Sequence, residues 1–188
     1  NNLYSLLVTQ LCIREPGVKI VGVVTLTVLS LKRIISEFKR LGIPLIRKVL
    51  SKYGLCKTQI FSEEEKDISD SLVKKVNLKI RSLRNLCYEN EIPFMKCNDL
   101  NDNKTVNFLK RQRPDIILSI GSQIIKESFL SIPSIGILNV HMGILPEYRG
   151  IGVTEWPIIE DRLEDVGLGI TLHFMERGVD TGPIIMKK

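Results

Sequence analysis

Short apolar runs separated by helix-length stretches constrain this chain more than any other feature. Residues 18–25, rich in β-branched side chains, form one such run; 92–96, 115–120, 135–139, 168–174 and 184–187 are further candidates of strand length. Apolar runs of this length suit strands buried on both faces. Between them the apolar positions shift to helical spacing. Leu31, Ile34, Ile35, Phe38 and Leu41 mark a helix within 28–50, broken at Gly42-Ile43-Pro44. Further helices are expected over 79–89, over 104–111 ahead of Pro114, over 126–130 and over 153–160, while 3–12 reads as the back end of a helix. The acidic stretch 62–71 reads as a loop. Strands alternating with helices predict an α/β fold, a mainly parallel sheet flanked by helices, in a single domain spanning 1–188.

The chain is 44% hydrophobic and 26% charged over 188 residues, long enough to bury a sizeable core without covalent staples. Cys12, Cys56, Cys87 and Cys97 are widely spaced with no C-x-x-C pair, so the expectation is a reducing, cytoplasmic setting and no metal site. The longest apolar stretch, 20–31, is too short to span a bilayer, and no membrane partner is expected. Residues 1–113 carry 21 Lys/Arg and 11 Asp/Glu, a net +10, whereas 114–188 carry 6 and 10, a net −4. A basic first half suits either solvated helix faces or a polyanionic partner such as tRNA. No aromatics interleave with the basic clusters, so a single-strand-binding groove is not indicated. The chain opens inside a helix and stops as a strand begins, and the expectation is a fragment of a longer polypeptide. Oligomeric state is not legible.

The chemistry-bearing residues lie between Pro114 and Ile185. Asn139 falls at the expected end of the strand 135–139, with Val140-His141-Met142-Gly143 in the following loop. Strand alternation sends Asn139 and His141 to the same side. Downstream, Gly178-Val179-Asp180-Thr181-Gly182-Pro183 is a glycine-flanked loop holding one carboxylate. An amide, an imidazole and a carboxylate without a Ser or Cys nucleophile suit direct acyl transfer to an amine. The amide and a protonated imidazole can donate to an oxyanion, and the carboxylate can hold the imidazole charged and oriented. Spacing alone also allows a structural histidine and turn-forming Asp and Asn. His173 is expected beside the sheet in a structural role, Trp156 is expected to pack its helix on the domain, and Arg149 suits either an anionic acceptor or loop bracing.

The stretch Asn139-Val140-His141-Met142-Gly143-Ile144-Leu145-Pro146-Glu147-Tyr148-Arg149-Gly150 resembles the signature of the folate-dependent formyltransferases. The blocks 169–175 and 178–185 resemble the same family's second motif. The resemblance is dense over 114–188 and thinner upstream. It implies a Rossmann-like formyltransferase fold and transfer of a formyl group from N10-formyltetrahydrofolate to a primary amine. It further implies that Asn139 and His141 stabilise the developing oxyanion and that Asp180 organises the proton leaving the amine. Ser122, Gln123, Ile124 and Ile125, with Gly121, would line the pterin through backbone groups. Met175, Gly178 and Val179, with Glu176 and Arg177, would form the opposite wall.

The acceptor stays open. Leu-Pro-Glu-Tyr-Arg-Gly and Val-Asp-Thr-Gly-Pro-Ile resemble the sugar N-formyltransferases, which favours a nucleotide-linked amino sugar. Methionyl-tRNA, glycinamide ribonucleotide, hydrolysis of the formyl-folate and a non-catalytic binding module are the alternatives. Several relatives carry Pro-Ser after the catalytic histidine, where this chain has Met142-Gly143, a departure on the acceptor side.

Overall fold

The structure, a computed structural model, describes residues 3–27, 71, 74, 82–120 and 123–188. The expected helix over 28–50, nearly all of the loop over 62–71, the start of the helix over 79–89, Gly121 and Ser122 lie outside the described residues. The described elements are α1 (Leu3–Arg14), β1 (Val23–Leu26), α2 (Leu83–Glu89), β2 (Phe94–Cys97), α3 (Asn103–Gln112), β3 (Ile116–Ser119), α4 (Glu127–Leu130), β4 (Gly136–His141), α5 (Trp156–Ile159), β5 (Thr171–Phe174) and β6 (Ile184–Lys187). They fall into two compact units, Asn1–Asn98 and Asp99–Lys188.

In the first unit β1 and β2 pair in parallel, Val23 opposite Phe94 through Leu26 opposite Cys97. The core joins Leu6 of α1 to Leu83, Leu86 and Cys87 of α2 and to Ile92, with Ile13, Ile20, Val23 and Phe94 against it. Fully burying a leucine such as Leu86 contributes about 1.5–3 kcal/mol. Burial pushes the Cys87 thiol up, which keeps it protonated and unreactive. The strand expected from residue 18 starts at Val23, whose N–H donates to the Pro93 carbonyl at 2.9 Å. Residues 18–22 have the right composition but no ladder partner among the described residues.

The second unit is built on a four-stranded sheet in the order β3-β4-β5-β6. β3 and β4 run parallel, while β4–β5 and β5–β6 are antiparallel. The parallel part is therefore extended by an antiparallel flank. The connection 175–183 is too short to hold a crossover helix, which needs about a dozen residues, so β6 has to return antiparallel. Alternation places Ile137, Asn139, His141, Thr171 and His173 on one face. That face is well buried at Ile137, His141, Thr171 and His173, whereas Leu118 and Val140 on the other face are about half exposed. β4 runs two residues beyond its expected end because Val140 and His141 find partners in Leu172 and Thr171.

Helix α3 starts where the Asp102 carboxylate accepts from the Thr105 N–H at 2.6 Å, and it ends on left-handed Arg113 ahead of Pro114. It buries Thr105, Val106 and Leu109. Only four residues of the helix expected over 153–160 form α5, because Pro157 has no N–H and fits only the first turn. Pro157 points inward while the Trp156 indole is half exposed, contrary to its expected packing role. No described helix is long and apolar enough to cross a membrane.

A polar clasp joins the loop ahead of α3 to the segment ahead of α4. Asn101 donates from Nδ2 to the Ile124 carbonyl at 2.9 Å and accepts on Oδ1 from the Lys126 N–H at 2.7 Å. Gln123 accepts from the Leu100 N–H at 3.0 Å and donates to the Asp99 carboxylate. The Asn101 N–H, with Gln123 assisting, holds the Asp99 carboxyl below its ordinary range. A folded-state value below the unfolded value of about 3.9 stabilises the fold above that pH and loses the effect as pH falls through the folded value. Asp99→Asn is expected to shrink the fall in Tm between about pH 5 and about pH 3. An unchanged pH–Tm profile would show that the clasp carries no such linkage.

Candidate active site

The β4–β5 register brings the site together. Asn139 stands opposite His173 and His141 opposite Thr171, on the same face of the sheet. Asp180 arrives from the strap 175–183 that returns the chain from β5 to β6. Its φ is +51°, a left-handed conformation that aspartate tolerates better than most residues. Gly182 is required there, because a Cβ would fall on the Phe174 carbonyl. The two ends of the strap are pinned to each other by the Phe174 N–H, which donates to the Pro183 carbonyl at 2.9 Å.

His141 is 6% exposed. Its Nε2 lies 2.8 Å from the Tyr148 carbonyl, a pure acceptor, so that nitrogen carries hydrogen. Its Nδ1 lies 3.4 Å from Asp180 Oδ2 and becomes a donor when the ring is protonated. The Gly150 N–H donates to the same oxygen at 2.8 Å. His173, 1% exposed, donates from Nδ1 to the Phe174 carbonyl at 2.7 Å. Its Nε2, without a hydrogen in the neutral ring, accepts from Asn139 Nδ2 at 3.2 Å. The 3.5 Å approach of that Nε2 to Asp180 Oδ1 turns attractive only on protonation. The two imidazole rings meet edge to face, centroids 6.3 Å apart.

Thr171, fully buried, accepts from the Leu145 N–H at 3.1 Å and donates to the Gly143 carbonyl at 2.7 Å. It thereby shapes the loop whose Tyr148 carbonyl orients His141. A Cβ at Gly143 would sit 2.7 Å from Val153 Cβ and 3.2 Å from His141 Nε2, so the space beside Val153 and the histidine admits glycine and nothing larger without a shift. Glu160 accepts from the Tyr148 hydroxyl at 2.7 Å, which with burial pushes that phenol up.

Asn139, His141 and Asp180 are thus gathered as expected, with His173 a fourth member that the sequence reading left outside. The signal that could have found it is the antiparallel register, which sets it directly opposite Asn139. Of the residues expected at the pterin, Ile124 is 76% exposed and Ile125 only 8% exposed, with the Gln123 side chain turned to Asp99 and Leu100. Met175 is partly buried and its N–H donates to the Ile137 carbonyl at 2.8 Å, while Gly178 and Val179 are exposed on the strap. Arg177 donates to Glu127 of α4 at 2.7 Å, tying strap to helix and holding the Glu127 carboxyl below its ordinary range. No group of His, Cys, Asp or Glu among the described residues is arranged to hold a metal ion.

The formyl transferase family model matches residues 18–188, and the chain belongs to that family. It is 33% identical over 111 residues to methionyl-tRNA formyltransferase of Clostridioides difficile, covering 58% of this chain and 35% of that protein. It is 31% identical over 150 residues to the bifunctional polymyxin resistance protein ArnA of Wigglesworthia glossinidia brevipalpis, covering 79% of this chain and 21% of that protein. The crystal structure of phosphoribosylglycinamide formyltransferase from Bacillus halodurans aligns with a TM-score of 0.45 at 25% identity, covering 55% of this chain and 56% of that one. The chain spans about a third of the length of the first curated relatives it matches.

Replacing Thr171 with valine should leave the Leu145 N–H and the Gly143 carbonyl buried without partners, a cost of about 2 kcal/mol. Urea unfolding measures this, and a loss below about 0.5 kcal/mol would mean that water or another group replaces the hydroxyl.

Proposed function

We propose that the protein transfers a formyl group from N10-formyltetrahydrofolate to a primary amine, in the cytoplasm, with Asn139, His141 and Asp180 as its catalytic residues. The observation that carries this reading is the His141–Asp180 pair, 3.4 Å apart and mostly buried beside Asn139, in a chain of the formyl transferase family. The amine nitrogen attacks the formyl carbon, and the carbonyl electron pair moves to oxygen as the new C–N bond forms. Asn139 has one amide hydrogen on His173 and a second to offer that oxygen. Both His141 nitrogens face groups of the protein, so the ring must turn its looser contact, the one to Asp180, toward the substrate before it can donate. Catalytic hydrogen bonds are commonly long before substrate arrives. Asp180 takes the proton released by the amine through water. Collapse breaks the bond to N10, which takes up the proton held by Asp180 as it leaves, so the carboxylate is restored. The pterin lies between 122–125 and the strap, its edge read by main-chain groups.

For the acceptor, Leu145-Pro146-Glu147-Tyr148-Arg149-Gly150 and the 179–184 block support an amino sugar carried on a nucleotide. The likeness to methionyl-tRNA formyltransferase favours aminoacyl-tRNA as the second reading. Full-length protein supplied with the formyl donor and each acceptor in turn distinguishes them by which product gains the formyl group. Asn139→Ala and Asp180→Ala are each expected to lower kcat about 10²–10³-fold while remaining folded. Near-normal turnover in either variant would sink the catalytic assignment.

A further inference from the structure

We infer that Asn101 is a positioning residue for the formyl donor, acting through the main chain of residues 124–126; this rests on the reading that 123–125 lines the pterin. Asn101 lies outside the cluster of Asn139, His141, His173 and Asp180, and nothing in the formyl-transfer chemistry calls on it. Its amide nonetheless fills two main-chain valences of that wall at once, the Ile124 carbonyl at 2.9 Å and the Lys126 N–H at 2.7 Å. Such a bidentate amide substitutes for a neighbouring strand. It pairs the Ile124 carbonyl and the Lys126 N–H on one side of the chain, while the N–H and carbonyl of Ile125, between them, have no partner among the described residues. A free donor and acceptor on one residue suit the paired donor–acceptor edge of a heterocyclic amide.

Asn101 is itself held through its main chain. The Asn101 N–H donates to Asp99 Oδ1 at 2.8 Å, and the same carboxylate accepts from Gln123. The Thr105 hydroxyl donates to the Asp99 carbonyl at 3.2 Å, which fixes the loop to the first turn of α3. The clasp therefore adds polar anchors on either side of Ile125, whose buried side chain is the segment's apolar hold, while Ile124 and Lys126 are exposed.

The test compares wild-type full-length protein with Asn101→Ala and Asp99→Ala, measuring the Kd for tetrahydrofolate, the KM for formyl donor and for amine acceptor, kcat and Tm. Asn101→Ala is expected to raise the Kd and the donor KM about tenfold, the effect of two net hydrogen bonds, with kcat and acceptor KM within about twofold. Asp99→Ala, which loosens the Asn101 main chain and leaves its side-chain amide in place, should raise the same two constants about threefold. An unchanged donor KM in Asn101→Ala, or a fall in kcat at constant KM, overturns the assignment. If Asn101→Ala does not fold, the outcome for Asp99→Ala decides in the same terms. Wild-type protein that neither binds tetrahydrofolate nor transfers formyl would instead overturn the functional reading on which this one rests.

Discussion

The antiparallel pairing of β4 with β5 is the constraint on which the site depends. It places Asn139 across from His173 and His141 across from Thr171 with no loop between partners. Slipping the register by one residue would turn His173 and Thr171 to the opposite, half-exposed face and bring Leu172 and Phe174 inward. The ladder thus sets both the chemistry of the cluster and its burial. The buried polar side chains on that face then need partners, and His141, Thr171 and His173 find them. His173 is held by its own strand's carbonyl, and Thr171 by the loop after β4.

A carboxylate brought into such surroundings needs donors of its own. The Gly150 N–H supplies a fixed one, and the histidines supply donors that depend on protonation. The basic Lys110, Arg111 and Arg113 at the end of α3 have a simpler account, since cations there complement the helix dipole.

Much of this was legible from the residues. The strand runs around 116–119 and 136–139 carried their own signal, and Pro114 marked the end of α3. The amide, imidazole and carboxylate were visible by type, but their spacing equally allowed structural roles, and it was the resemblance to a family signature that singled them out. What escaped depends on partners distant in sequence. β1 begins where Pro93 and Phe94 offer partners, not where its β-branched run begins. β4 lengthens because β5 is there to pair with Val140 and His141. The antiparallel return of β6 follows from the length of 175–183, and His173 comes opposite Asn139 only through the β4–β5 register. Local composition holds no trace of a partner across the sheet, so the place of His173 opposite Asn139 was not legible.

The strap 175–183 separates two kinds of heritable change. Its ends are locked by main-chain bonds and by the tight seat of Gly182 against Phe174, so Asp180 stays where the sheet puts it. Glu176 and Val179, facing outward, carry none of that anchoring, whereas Arg177 holds Glu127 and a side chain at Gly178 would press on Thr181. A lineage can therefore vary Glu176 and Val179, and with them whatever that edge of the molecule grips, while the acid keeps its post.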